Sequence, residues 1–292
     1  MEQVTLIEIK QGRPGFDPFI GSWLIQGVHN MLVDVGPANS AEWLISALEK
    51  RGVSTIDYVL LTHIHIDHGG ALGKILGRYP EAKAICHEKA LKYLINPEKL
   101  WKGSLDVLGD VARMYGAPIP VEGDRLIPHT QFQLDDLVII DTPGHAPHHL
   151  SFQYKGKLFS GEAAGNYLMM EGMDYLRPAT PPRFFLEVFV SSIDKLRTMP
   201  DQQICYAHFG WAPSSHDMLD RFKHQIFFWA ELVEAEKKKG GDDLVERCVK
   251  RLLREDKNLA AFNSMDADVK ARELNFMANA VKGFVGYFEE KS

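Results

Sequence analysis

The spacing of apolar residues along the chain changes after residue 212. Before that point, short apolar runs rich in β-formers alternate with segments of helical periodicity, which predicts an α/β domain. The predicted strands are 4–9, 22–27, 30–34, 57–61, 83–86, 137–141, 148–154 and 157–160, and the predicted helices are 40–51, 70–79 and 88–95. Residues 97–123 have roughly helical spacing and predict an inserted helix.

Beyond residue 212 the strand signals stop. Helical periodicity runs through 215–239, 244–254 and 266–290, with a break at Gly240 and Gly241. The chain is therefore predicted to consist of an α/β domain, residues 1–212, and a helical C-terminal extension, residues 213–292. The last helix is apolar over a wide face, which would serve packing on the main domain, a dimer interface or a wall of a substrate pocket.

One nine-residue segment, Thr62–Gly70, carries an unusual density of metal-binding side chains. It contains the pattern H-x-H-x-D-H, formed by His63, His65, Asp67 and His68. The segment follows a predicted buried strand, and two glycines allow the backbone to turn tightly. Imidazole and carboxylate groups at such a strand end suit Zn²⁺, iron or Mn²⁺. This pattern predicts a metal site, whereas isolated histidines such as His29, His87, His129 and His216 favour structural or surface roles.

Three further candidates lie at the ends of later strands. His145 ends Asp-Thr-Pro-Gly-His, Glu162 ends Phe-Ser-Gly-Glu, and His208 ends Cys-Tyr-Ala-His. Histidine ligands need a partner for the second ring nitrogen. Asp34, in Val-Asp-Val-Gly, is the candidate partner for one of them, and His149 is expected to be an interior, hydrogen-bonded residue. Cys205 is expected to face the core.

In this order, the motifs resemble those of the metallo-β-lactamase superfamily of hydrolases, most closely its glyoxalase II-like and lactonase-like branches. The likeness covers roughly residues 1–212. It implies an α/β fold, the αββα sandwich of the family, here with a helical C-terminal extension. It also implies two divalent metal ions, with zinc favoured and iron or manganese as alternatives. By resemblance, one ion would be held by His63, His65 and His145, the other by Asp67, His68 and His208, with Glu162 bridging them.

Glu162 departs from the family pattern, which usually has aspartate at this position. Glutamate is one methylene longer, which bears on the geometry of the bridge, the distance between the metals and the metal preference. A carboxylate oxygen is still available as a ligand.

The resemblance implies a dinuclear hydrolase that attacks an ester-like carbonyl, in a thioester, a lactone or a related small molecule, with a metal-bridging hydroxide. Asp67 would orient the hydroxide. Residues 163–183 are expected to form a loop over the site, in which Tyr167 would donate a hydrogen bond to the oxyanion and Arg177 would hold a substrate carboxylate. The main alternative is a mononuclear iron persulfide dioxygenase. A nuclease, a non-catalytic binding module and a penicillin-type β-lactamase are less favoured.

Composition narrows the class of partner. The chain has 292 residues and a formal net charge of −6, which argues against a nucleic-acid surface. Its three cysteines include no C-x-x-C pair, so a disulfide framework is not expected. Neither a signal peptide nor a long apolar segment is apparent, which predicts a cytoplasmic protein that acts on a small molecule without a membrane. The sequence leaves open whether the protein forms a homodimer.

Overall fold

The computed structural model describes residues 3–170 and 172–291. The chain divides into two compact units. The N-terminal unit comprises residues 1–139 and 150–155, and the C-terminal unit comprises 140–149 and 156–292. These bounds differ from the predicted boundary after residue 212, because all the helices beyond that residue belong to the same unit as the strands from residue 156 onward. The division of the chain into a catalytic domain and a helical extension stays a prediction.

A six-stranded mixed sheet forms the centre of the N-terminal unit. Its strands lie in the order β1 to β6. The first three are antiparallel and the last three run parallel to β3, which is the arrangement that α/β crossovers produce. The strands are β1 Gln3–Ile9, β2 Ile20–Gln26, β3 Met31–Val33, β4 Tyr58–Leu60, β5 Lys83–Cys86 and β6 Leu126–Pro128.

Among the described residues, five α-helices connect these strands. Helix α1 buries alanine and aliphatic side chains at positions 41, 44, 45 and 48, the spacing of a helix with one apolar face. The predicted insertion at 97–123 is confirmed as helical, although Gly109, with φ of 55°, separates it into two helices. The helices are α1 Ala41–Glu49, α2 Leu72–Arg78, α3 Leu91–Ile95, α4 Glu98–Leu108 and α5 Asp110–Tyr115.

The remaining strands are β7 Leu137–Asp141, β8 Leu150–Tyr154, β9 Lys157–Gly161, β10 Asn166–Met170, β11 Met173–Arg177, β12 Gln203–Tyr206 and β13 Trp211–Ala212. Within the C-terminal unit, β12 pairs with β9 in parallel and with β13 in antiparallel orientation. Strands β9 and β12 therefore end at the same edge of the sheet, just before Glu162 and His208 respectively. Cys205, on β12, is buried in the core as expected.

The segment 163–183, predicted as a loop, is largely a β-hairpin. Strands β10 and β11 pair in antiparallel register from Asn166 opposite Arg177 to Met170 opposite Met173. The prediction of a loop was wrong because each strand buries a continuous run of residues at one end, without the alternation by which a half-buried strand is recognised. Gly172, with φ of 73°, supplies a left-handed conformation beside the turn.

Four helices complete the C-terminal unit, namely α6 Leu186–Arg197, α7 Ser215–Lys237, α8 Leu244–Glu255 and α9 Ala267–Glu290. The Ser214 side chain caps α7 by accepting a hydrogen bond from the backbone of Asp217. The predicted break at Gly240 and Gly241 is confirmed, and both glycines have positive φ. The buried residues of α6 have the spacing of an amphipathic helix, but this helix was not predicted from the sequence.

The apolar face of α9 is buried within the C-terminal unit, where it packs on α7 and α8. Met277, Val281 and Phe284 are fully buried, and Phe284 packs edge-on against Phe184. This packing is the first of the three roles expected for the helix. Among the described residues, none of the helices has the length and apolarity needed to span a bilayer.

Gly70 and Gly77 provide a test of the backbone path at the start of α2. A Cβ atom on Gly70 would lie 2.2 Å from the carbonyl oxygen of Ile66, whereas one on Gly77 would meet nothing within 4 Å. We therefore expect Gly70→Ala to distort the segment that carries the histidines and to lower the melting temperature by at least ~4 °C. Gly77→Ala, on an exposed helical position, should be neutral or stabilising by up to about 1 kcal/mol.

The measurement is thermal unfolding followed by circular dichroism. Equal melting temperatures for Gly70→Ala and the wild type would contradict the described backbone path.

Candidate metal centre

The four predicted ligands of the N-terminal unit lie in one tight loop after β4. The ring of His63 is 4.6 Å from that of His65 and 4.3 Å from that of His68, between centroids. Nε2 of His68 lies 3.5 Å from a carboxylate oxygen of Asp67. His63 and His68 are buried, and His65 and Asp67 are partly exposed. The loop therefore gathers three imidazoles and one carboxylate, as the spacing predicted.

Asp34 holds this loop from the end of β3. Its carboxylate accepts hydrogen bonds from the backbone nitrogen of Thr62 (2.8 Å) and from the Thr62 hydroxyl (2.7 Å), and Nδ1 of His68 lies 3.3 Å from the same carboxylate. A proton on Nδ1 leaves the Nε2 lone pair of His68 available to a metal. The expected role of Asp34 as a partner of a histidine is confirmed. Its φ of 56° is uncommon outside glycine and is a backbone strain of the kind found at functional sites.

In the C-terminal unit, one carboxylate lies between two imidazoles. The oxygens of Glu162 are 2.7 Å from Nε2 of His145 and 3.2 Å from Nε2 of His208. Nδ1 of His145 is 2.8 Å from the carbonyl oxygen of Ala179, to which it donates its hydrogen. All three predicted ligands are at most 7% exposed. The longer side chain of glutamate thus reaches both histidines, one with each oxygen.

His149 fixes the backbone of Glu162. Its Nε2 accepts a hydrogen bond from the backbone nitrogen of Glu162 (3.0 Å), so the ring proton resides on Nδ1, which lies 2.8 Å from the hydroxyl of Thr142. The ring is fully buried. The expectation of an interior, hydrogen-bonded histidine is confirmed.

Arg177 has a different role from the predicted one. Its guanidinium is 2% exposed and forms an ion pair with Glu273 of α9 at 2.6 Å. Burial by itself raises the pKa of Glu273, but the charges of Arg177 and Arg272 outweigh it, so this pKa lies below its usual value and the carboxylate is ionised at neutral pH. A buried arginine with this partner is not available to clamp a substrate carboxylate.

Tyr167 is buried on β10 and stacks on Tyr206 with ring centroids 4.7 Å apart. Burial, together with the nearby carboxylate of Asp174, to which its hydroxyl is hydrogen-bonded, raises the pKa of Tyr167 to about 12. The phenol therefore stays protonated at neutral pH, with an acceptor already in contact. Its role as a donor to substrate stays a prediction.

The donor sets fit divalent metal ions. In each unit, a buried imidazole has its Nδ1 atom directed at a protein acceptor, Asp34 or the Ala179 carbonyl, so that Nε2 is the atom that would bind a metal. Imidazole with carboxylate oxygen is the ligand chemistry of Zn²⁺, Mn²⁺ and iron.

Sequence reasoning missed several residues that support the ligands. Thr62 and Thr142 directly adjoin the two motifs, so their positions offered a local signal. Asn166 follows Glu162 by four residues, and in the amide orientation that satisfies its neighbours its nitrogen lies 2.6 Å from a Glu162 oxygen. Glu273 follows Glu162 by more than a hundred residues, and nothing in the sequence pattern links it to the motifs.

The model of the metallo-beta-lactamase superfamily matches residues 19–208. The chain belongs to this superfamily. The match covers all seven predicted ligands and ends at the last of them. The α/β sandwich fold of the family with a helical C-terminal region is thereby confirmed.

Relatives are similar mainly over the same part of the chain. The metallo-beta-lactamase fold-containing protein ST1585 of Sulfurisphaera tokodaii is 32% identical over 194 residues, which cover 62% of this chain and 68% of that protein. A hydroxyacylglutathione hydrolase of Photobacterium profundum is 28% identical over 199 residues, which cover 67% of this chain and 63% of that enzyme. The chain thus spans less than two thirds of that hydrolase.

Solved structures extend the likeness to the C-terminal helices. The crystal structure of the archaeal protein ST1585 from Sulfolobus tokodaii has a TM-score of 0.68 at 20% identity and covers 97% of this chain and 98% of its own. The family protein TTHA1429 from Thermus thermophilus has a TM-score of 0.64, also at 20% identity, and covers 99% of this chain and 93% of its own. At such identities the likeness shows the fold.

Replacing His149 tests whether it supports the metal ligand beside it. His149→Ala removes the acceptor for the buried Glu162 backbone nitrogen, so we expect metal affinity to fall about 10- to 100-fold. Competition with a chromophoric chelator measures this affinity. His224→Ala, at an exposed position of α7, is the control and should leave it unchanged. An unaltered affinity in His149→Ala would show that this hydrogen bond does not support metal binding.

Proposed function

We propose that this protein is a dinuclear metal-dependent hydrolase that attacks an ester-like carbonyl of a small molecule, such as a thioester or a lactone. The single observation that carries the proposal is the Glu162 carboxylate, which directs one oxygen at His145 and the other at His208. A carboxylate between two imidazoles is the arrangement that a bridging ligand requires. Without metals, a buried carboxylate and so many buried imidazoles would be costly to maintain.

The proposed ligand assignment follows the family pattern. His63, His65 and His145 would hold one ion, Asp67, His68 and His208 would hold the other, and Glu162 would bridge the two. We favour zinc, with iron and manganese as alternatives, because this donor set accepts all three. When bound, the ions would supply Lewis acidity and a hydroxide nucleophile at neutral pH.

The protein's own side chains would then orient the reaction. Asp67, more exposed than its neighbour His68, would accept a hydrogen bond from the attacking water and orient it. Asp34 and the Ala179 carbonyl would keep the histidine rings in the required tautomer. Hydroxyacylglutathione hydrolases among the relatives support a thioester as the first substrate class to examine. A cytoplasmic location stays part of the proposal, and the oligomeric state is left open.

Metal content tests the proposal directly. Protein purified without added metal is expected to contain about two equivalents of zinc, manganese or iron per chain, as a bridged centre requires. Glu162→Ala should lose metal and hydrolytic activity toward hydroxyacylglutathione thioesters and lactones. Plasma mass spectrometry gives the metal content. Glu187→Ala, which removes an exposed carboxylate of α6, is the control and should retain both properties.

A different outcome would favour another chemistry. About one equivalent of iron, unchanged in Glu162→Ala, together with oxygen uptake on a glutathione persulfide, would replace the hydrolase by a mononuclear iron dioxygenase. Circular dichroism of each variant distinguishes loss of a ligand from loss of the fold.

Tyr167 has its own test. If its hydroxyl donates to the developing oxyanion, Tyr167→Phe should lower kcat about 100-fold or more at unchanged metal content. Steady-state kinetics and metal analysis on the same preparation measure both quantities. Equal kcat values would assign the hydroxyl to its hydrogen bond with Asp174 alone.

A further inference from the structure

We propose that Asn166, Arg177 and Glu273 are positioning residues that hold the Glu162 carboxylate, so that helix α9 of the C-terminal extension sets the metal affinity of the centre. This proposal rests on the proposed function in one respect, namely that Glu162 binds metal. It adds a role for the C-terminal helices, to which the motifs assign none.

Asn166 contacts the carboxylate of Glu162 directly. In the amide orientation that satisfies its neighbours, the nitrogen of Asn166 donates to Oε1 of Glu162 at 2.6 Å. Its oxygen accepts hydrogen bonds from both terminal nitrogens of Arg177, at 3.2 and 3.1 Å, and lies 3.2 Å from Nε2 of His208. Asn166 is 4% exposed, so water does not substitute for these partners. The amide thus transmits the position of Arg177 to the carboxylate.

A tight turn at Gly165 brings Asn166 back to Glu162. The backbone nitrogen of Gly165 donates to the carbonyl oxygen of Glu162 at 3.1 Å, and Gly165 has φ of 81°. A Cβ atom at this position would lie 2.6 Å from the ring of Phe222. The turn therefore requires glycine, and it places Asn166 at the first position of β10, directly opposite Arg177 on β11.

Residues of helix α9 hold Arg177 in place. Its Nε donates to Glu273 at 2.6 Å, and Arg272 donates to the other carboxylate oxygen at 2.8 Å. The guanidinium also lies over the ring of Phe276, 5.2 Å from its centroid. Residues 272, 273 and 276 all belong to α9. Since Arg177 and Glu273 are almost fully buried, their position depends on this helix rather than on solvent.

The longer side chain at position 162 explains why such support matters. Glutamate has one more rotatable bond than aspartate, and ordering it costs more conformational entropy. An amide donor on one carboxylate oxygen reduces the number of orientations before metal arrives. The ligand is thereby preorganised, as supporting residues do at other metal sites.

The experiment compares three variants for their Zn²⁺ and Co²⁺ affinities, measured by competition with a chromophoric chelator. Asn166→Ala removes the contact with Glu162, and Glu273→Gln removes the charge that anchors Arg177 while keeping the size of the side chain. Glu236→Gln is the matched control, because Glu236 is another buried carboxylate of the C-terminal helices that pairs with Arg247 and Arg251. Melting temperatures are measured on the same samples.

We expect Asn166→Ala and Glu273→Gln to weaken metal binding about 10- to 100-fold and to change the visible spectrum of the Co²⁺ form. Glu236→Gln should lower the melting temperature without either effect. The double variant Asn166→Ala with Glu273→Gln should lose less than the product of the two single losses, because both act through one chain of contacts. If Glu273→Gln does not fold, Asn166→Ala alone decides the outcome.

Wild-type affinity and an unchanged Co²⁺ spectrum in Asn166→Ala would overturn the proposal, as would fully independent effects in the double variant. Failure of the proposed function looks different, because Glu162→Ala would then keep its metal content. A loss in Glu162→Ala with no loss in Asn166→Ala would contradict the positioning role only.

Discussion

The burial of charged and polar side chains governs the structure around the candidate metal centre. His63, His68, His145, Glu162 and His208 are each at most 7% exposed. A buried polar group that lacks a partner is costly, so every such side chain demands a specific contact nearby. Much of the chain around the candidate centre is organised to supply these contacts.

In the N-terminal unit, Asp34 supplies these contacts. One carboxylate serves the backbone and hydroxyl of Thr62 and the ring of His68 at the same time. Two strands of the sheet, β3 and β4, must end side by side for these groups to meet, and their parallel pairing achieves this. The left-handed backbone at Asp34 is tolerated because the surrounding hydrogen bonds determine it.

In the C-terminal unit, a longer series of hydrogen bonds and ion pairs supplies the contacts of the buried side chains. His149 binds the backbone of Glu162, and Asn166 binds its carboxylate. Arg177 and Glu273 continue the chain to α9, where a buried ion pair is stabilised by mutual charge and by an additional hydrogen bond from Arg272. The α/β part and the helical part of this unit are therefore joined by polar contacts as well as by the apolar packing of α7, α8 and α9.

The family, the fold class and the local positions of most strands and helices could be predicted from the amino-acid sequence. Ligands that lie within a few residues of each other, such as His63 and His65, leave a readable spacing, and amphipathic helices leave a readable period. The folded structure was needed to show that residues 163–183 form a hairpin, that Arg177 is an internal ion-pair partner and that Glu273 belongs to the surroundings of Glu162. The buried residues of the hairpin form continuous runs, which do not have the period of a half-buried strand. Arg177 and Glu273 lie far apart in the chain, and the free energy of their contact comes from burial and charge pairing, which local periodicity does not encode.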